Sequence, residues 1–111
     1  MTLTEARYDQ LVDEAFLKIE EALDNCDADI DYESAGGILT LIFVNGTKII
    51  LNKQPPLLQI WVATKFNGHH FNYTDDGVWI DERTDAEFWS FMNEAISKQA
   101  GMAVELDISH D

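Results

Sequence analysis

Ile38-Leu39-Thr40-Leu41-Ile42-Phe43-Val44, then Asn45-Gly46, then Thr47-Lys48-Ile49-Ile50-Leu51-Asn52, is the stretch that decides the fold. Both flanking runs are rich in β-branched and apolar residues, and Asn-Gly between two such runs is a strong signal for a two-residue hairpin turn. The change to a period of two begins after Gly36-Gly37. Further strands are expected at 58–64, 69–74 and 78–81, separated by Pro55-Pro56, Asn67-Gly68 and Asp75-Asp76-Gly77. A weaker one falls at 30–33. Spacers this short favour antiparallel neighbours, because a parallel crossover needs a dozen residues or more.

Outside these strands the period is helical. Over 3–24, Tyr8, Leu11, Val12, Ala15, Phe16, Ile19, Ala22 and Leu23 recur at three- and four-residue steps. Thr2 and Glu5 form a candidate capping box at its start. At about 100° per residue, Asp9, Asp13, Glu20 and Asp24 share a row beside the apolar face, with Glu14 and Glu21 a little further round. A second helix is predicted from Thr84, with Thr84 and Glu87 as its capping box, Gly101 as its stop, and Phe88, Phe91, Met92, Ala95 and Ile96 as its core face. Two helices and one antiparallel sheet share a core when both helices lie on the same face. The expected fold is therefore α+β, a two-layer α-β sandwich. Its N- and C-terminal helices pack on one face of an antiparallel sheet of five to six strands, and the other face is bare. An extended tail at 104–108 could use Leu106 and Ile108 to seal the gap between the helices.

With 111 residues, 46% hydrophobic, the chain suits a single domain over 1–111. No run approaches the roughly 20 apolar residues of a membrane span, and the N-terminus lacks a basic-then-apolar leader, so a cytoplasmic location is expected. Cys26 is the single cysteine, which excludes an internal disulfide, a CxxC pair and a thiolate zinc site.

Charge is the strongest compositional feature. Twenty-one acidic residues against seven basic ones give a net charge of −14, a field that repels nucleic acid and anionic membrane and leaves cations and basic proteins as partners. The charge is also segregated. Residues 1–33 hold eleven acids, 34–74 none, and 75–111 ten. The densest run, Glu20, Glu21, Asp24, Asp27, Asp29, Asp31 and Glu33, passes from the end of helix 1 into the first strand. Carboxylates are hard ligands, suited to iron, manganese, calcium, magnesium or lanthanides, with modest affinity. Asp27, Asp29 and Asp31 have the opening spacing of an EF-hand, but Tyr32 stands where that loop needs Gly and Ile38 where it needs Glu, which excludes it. The plain alternative is a solvated charge run. His69 and His70, adjacent on a strand, point to opposite faces and cannot readily chelate one ion, and His110 lies in the tail. No serine sits in a nucleophile elbow, and there is no phosphate loop.

In the strand at 58–64, alternation puts Ile60 and Val62 on one face and Gln59, Trp61 and Ala63 on the other. If the helices cover Ile60 and Val62, Trp61 lies on the bare face, where an aromatic among amides suits a protein interface.

The order of acidic helix, acidic first strand, Gly36-Gly37-Ile38-Leu39-Thr40, Asn45-Gly46, Asn52-Lys53-Gln54-Pro55 leading to Gln59-Ile60-Trp61, then His70-Phe71 and Trp79, resembles the bacterial frataxin family over nearly the whole chain. The Asn-x-Gln-x-Pro to Gln-Ile-Trp stretch, joined to the acidic helix, is its most specific part. The resemblance implies an iron-binding, non-enzymatic regulator of iron–sulfur cluster assembly. It implies weak ferrous and ferric iron binding, for which other hard cations can substitute, on a ridge of Glu20, Glu21, Asp24, Asp27, Asp29, Asp31 and Glu33, with Asp9 and Asp13 as outer members. It also implies contact with the cysteine desulfurase and the scaffold protein through Asn52, Gln54, Gln59, Trp61 and His70. The protein is expected to be a monomer that metal could drive into oligomers. The alternatives are ferroxidase or iron-storage activity, and an acidic protein-binding module with no metal role. The first is disfavoured by the absence of a His/carboxylate facial triad or Glu-x-x-His pattern. The second has no use for Trp61 and its amide neighbours.

Overall fold

The computed structural model describes residues 3–26, 28–102 and 104. Six strands form one antiparallel sheet in sequence order: β1 (Ile30–Ala35), β2 (Ile38–Phe43), β3 (Lys48–Gln54), β4 (Gln59–Ala63), β5 (Gly68–Tyr73) and β6 (Trp79–Asp81). Helix α1 (Glu5–Asn25) precedes the sheet and α2 (Phe88–Ala100) follows it. Both helices bury their apolar faces against the same side of the sheet, so the two-layer sandwich read from the sequence is the fold found.

The connections differ in detail from the expectation. The two-residue hairpin is at Gly36-Gly37, where Ala35 pairs with Ile38 and both glycines have positive φ, +58° and +82°. That is the backbone of a type I′ turn, open to glycine without Cβ strain. Asn45-Gly46 sits instead in a three-residue loop: the Gly46 amide donates to the Phe43 carbonyl, the Phe43 amide to the Thr47 carbonyl, and Gly46 is left-handed at φ +87°. Between β3 and β4, Pro55–Leu57 make one 3-10 turn, closed by Leu58 in the left-handed region at φ +53°.

Alternation sorts the sheet. Leu39, Leu41, Phe43, Ile49, Leu51, Ile60, Val62, Phe71 and Trp79 are buried under the helices. Helix α1 contributes Tyr8, Val12, Phe16 and Ile19, and α2 contributes Phe88, Met92 and Ile96, with the Phe88 and Phe71 rings meeting edge to face at 5.2 Å. Of the expected α2 core face, Phe91 and Ala95 are only half-buried, and Gln99 completes the buried row.

Both helix starts shift. Thr4, not Thr2, caps α1, accepting from the Arg7 amide; Thr2 lies outside the described residues. α2 begins four residues after Thr84, capped by the Glu87 carboxylate, which accepts from the Trp89 and Ser90 amides. Thr84 is drawn away because its hydroxyl donates to Asp81 at 2.9 Å. Gly101 ends α2 as expected, left-handed at φ +73°. Val104 is buried and bonded at both its carbonyl and its amide to the Ser97 hydroxyl, whereas Leu106, Ile108 and His110 lie outside the described residues.

Candidate functional site

Two surfaces carry the residues singled out in the sequence. The first is the edge where the C-terminal half of α1 meets β1. Ile30 is buried, so alternation turns Tyr32 towards α1 and leaves Asp31 and Glu33 on the bare face of the sheet. The Tyr32 hydroxyl then donates to both carboxylate oxygens of Asp24, each at 3.0 Å. That bond to the carboxylate holds the Tyr32 phenol above its ordinary pKa. Glu20 and Asp24 stand on α1, one turn apart; Asn25, which interrupts the acid run, folds back to bond the Glu21 carbonyl. Asp29 is exposed at the entry to β1, and Asp27 lies outside the described residues. The acids therefore line both sides of an edge and do not converge. Among the described residues no three His, Cys, Asp or Glu side chains surround a common point.

Asp9 and Asp13, the outer members, have a different environment. Lys53 reaches from the helix side of β3 to Asp13 at 2.7 Å and to Asp9 at 3.6 Å. The hydrogen bond to Asp13 raises the Lys53 pKa above its ordinary value. These two acids share one protein cation, so a metal ion would have to compete with it. Lys53 makes no such pair with Glu20, Glu21, Asp29, Asp31 or Glu33.

The second surface is the bare face of the sheet. Register places Asn52 opposite Trp61 and Trp61 opposite His70. Trp61 is only half-exposed. Its ring stacks on the His70 imidazole at 4.2 Å and 12°, and its indole N–H donates to the Gln59 side-chain carbonyl at 2.8 Å. Gln59, expected as a surface amide, is 8% exposed and spends its polar atoms on neighbours. Gln54 sits at the end of β3, and its backbone amide donates to the Tyr8 hydroxyl, which in turn donates to the Gln59 carbonyl at 2.6 Å. Ile38 and Ile50 are exposed on the same face. The five residues expected to face a partner are thus brought together, with Gln59 acting as their internal support.

Sequence reasoning missed the residues that hold these surfaces. His69 faces the helices, packs on Phe91 at 4.4 Å and bonds the fully buried Asp81 at 2.8 Å. Glu82 bonds His70 and Gln59, at 3.0 and 3.2 Å. The register of His69-His70 against Asp81-Glu82 was the available signal, since consecutive residues on paired strands meet on alternate faces.

Comparison with known proteins agrees with this geometry. The model of the Frataxin-like domain matches residues 1–102. A protein of Pseudoalteromonas atlantica named iron-sulfur cluster assembly protein CyaY is 67% identical over 92% of this chain and 94% of its own length. One of the same name from Colwellia psychrerythraea is 50% identical over 88% of this chain and 92% of its own. Among solved structures, frataxin from Psychromonas ingrahamii superposes with a TM-score of 0.85 at 45% identity, covering 93% of this chain and 97% of that one. Trimeric frataxin from the yeast Saccharomyces cerevisiae, described as complexed with ferrous, superposes with a TM-score of 0.68 at 26% identity, covering 91% and 89%. An acidic helix and edge strand on one flank, an amide-framed tryptophan on the bare sheet face, and a match that runs from the first residue through the second helix lead to one conclusion: the chain belongs to the frataxin family.

Proposed function

We propose that this protein is a cytoplasmic, non-enzymatic iron binder that regulates iron–sulfur cluster assembly. In this reading it holds ferrous or ferric iron weakly along α1 and β1, and it contacts the cysteine desulfurase and the scaffold protein. The observation that carries the reading is the run of carboxylates at Glu20, Glu21, Asp29, Asp31 and Glu33 along α1 and β1, apart from the pair held by Lys53, in a chain of this family. The names of its relatives and the ferrous complex of the yeast protein support it.

The donor set fits the cargo. It is all carboxylate, hence hard, and spread along an edge, so an ion would be held by few protein oxygens and completed by water. Higher charge should bind better, which favours ferric iron and lanthanides. Titrating ferrous iron under anaerobic conditions, while following backbone amide signals, tests this. Perturbations should cluster on 20–33, and the triple variant Glu20→Gln, Glu21→Gln, Asp24→Asn should bind several-fold more weakly. Unchanged affinity in that variant would place the iron elsewhere.

A further inference from the structure

On the bare face of the sheet four side chains close a ring. The Trp61 indole N–H donates to Gln59 Oε1 at 2.8 Å, Gln59 Nε2 donates to Glu82 Oε2 at 3.2 Å, and Glu82 Oε1 meets His70 Nδ1 at 3.0 Å. The His70 ring then lies flat on Trp61, 4.2 Å between centroids and 12° from parallel. Gln59 Nε2 also donates to Asn72 Oδ1 at 3.0 Å.

We propose that Glu82 is the positioning residue of this face: acting through Gln59 and His70, it holds Trp61 in the orientation a partner meets, and protonation of His70 tightens that hold. The proposal rests on the reading of the sheet face as a partner surface and names what prepares it.

The directions of the bonds follow from the carboxylate. An ionised carboxylate only accepts, so His70 must carry its hydrogen on Nδ1, and Gln59 must turn its nitrogen to Glu82 and its oxygen to the indole. One charged group at the open end of the ring thus orients both supports of the tryptophan. Neutral His70 keeps a free lone pair on Nε2, and the added proton goes there. The cation so formed strengthens the Nδ1–H bond to Glu82, which becomes charge-assisted, and places positive charge over the indole face.

On β4 the cross-strand neighbour of His70 is Trp61, with Gln59 two residues along. From the turn after β6 come Glu82 and Arg83, whose guanidinium is bonded to the Gly68 carbonyl at 2.7 Å. His69 and Asp81 are on the opposite side, paired with each other, and both helices lie there too. Holding a tryptophan before contact removes rotamer freedom that binding would otherwise have to remove, an effect of about two- to tenfold in affinity for one large side chain.

The test begins without a partner. The Trp61 indole N–H resonance, assigned by its loss in Trp61→Phe, should shift in one step as the solution is acidified over a range from about pH 8 to about pH 5. That step should vanish in His70→Gln, and Glu82→Gln should move the resonance at both ends of the range. Glu82 is exposed at the sheet edge and the swap keeps its shape, so an unchanged circular dichroism spectrum is expected. Purified scaffold protein is then titrated with wild type and Glu82→Gln at pH 6 and pH 8, the comparison at each pH cancelling the scaffold's own titration. The wild-type advantage should be about two- to tenfold at pH 6 and smaller at pH 8. An indole resonance indifferent to pH or to Glu82→Gln overturns the proposal. So does a scaffold affinity that falls in Trp61→Ala but is untouched by Glu82→Gln at both pH values. If Trp61→Ala binds both the scaffold and the desulfurase as the parent does, the partner reading of this face fails, and the resonance still decides whether Glu82 orients Trp61.

Discussion

Taking the carboxylate of Asp81 out of water costs several kcal/mol unless donors replace the water. Three do: His69 Nδ1 at 2.8 Å, the Thr84 hydroxyl at 2.9 Å and the Arg83 amide at 3.1 Å. Burial pushes the Asp81 pKa up, but the bonds from His69, Arg83 and Thr84 outweigh it and leave the net shift downward. A carboxyl whose folded pKa lies below its unfolded value stabilises the protein above the ordinary aspartate range, and that stability is lost as pH falls through the depressed value. Asp81→Ala should therefore lower stability at pH 7 by about 3 kcal/mol, since it leaves the His69, Arg83 and Thr84 donors without their acceptor. The difference from wild type should shrink as the pH drops below about 4. Urea unfolding at pH 7 and pH 3 measures both; a constant difference would mean that Asp81 acts by packing alone. The same residue explains why the start of α2 was misread. Thr84 and Glu87 have capping-box spacing, but the box needs the threonine hydroxyl to face the helix, and the buried carboxylate three residues earlier takes it.

At the scale of elements, the strands, their order and both helix faces could be read because period and turn chemistry are local. What ties elements together is non-local and left no such mark. Gln99 reads as one more polar residue at the end of a helix, yet it is 3% exposed and joins three segments. Its Oε1 accepts from the Lys65 amide, its Nε2 donates to the Lys48 carbonyl and the Thr47 hydroxyl, and its own carbonyl accepts from Asn45. Gln99→Leu should cost about 2 kcal/mol, because it leaves the Lys65 amide and the Lys48 carbonyl without their partner at part-buried contacts. Tyr8 does the same at the other end of the sheet, where its hydroxyl accepts from the Gln54 amide and donates to Gln59. Burial comes first among the causes that raise the Tyr8 pKa, so the phenol stays protonated and able to donate. Tyr8→Phe should lower stability by about 1–3 kcal/mol and speed hydrogen exchange at the Gln54 amide more than at strand-centre amides such as Leu41. Uniform acceleration would show that the hydroxyl supports the whole fold and not the β3–β4 connection. The acidic edge was legible as composition but not as geometry: only the strand pairing shows that Asp31 and Glu33 face away from Tyr32, and only the fold brings Lys53 to Asp9 and Asp13.

For the whole molecule, the −14 charge acts at two ranges. Within the protein, like charges on α1 and β1 lie inside one Debye length, about 10 Å at 0.1 M salt, so their repulsion works against the compact state and is relieved by screening. The melting temperature should rise between low and moderate salt, and rise further with millimolar calcium; a flat response would show an electrostatically relaxed edge. Beyond the surface, under the proposed function, the same field would draw a basic patch on the cysteine desulfurase, while Trp61, held in its ring of hydrogen bonds, would offer a short-range anchor. Exposed charges mainly set the rate of encounter, whereas a desolvated tryptophan can contribute about 2 kcal/mol or more to holding a complex. Neutralising Glu20, Glu21 and Asp24 should therefore lower the association rate with the desulfurase and flatten its dependence on salt. Trp61→Ala should chiefly raise the dissociation rate, about 30-fold for 2 kcal/mol, and leave iron binding at the edge unchanged, because the two surfaces share no side chain. Surface-binding kinetics of both variants at two salt concentrations separates the effects. If Trp61→Ala stays bound to the desulfurase as long as the parent does, the anchor belongs to the scaffold protein, and the charged edge alone carries the contact with the enzyme.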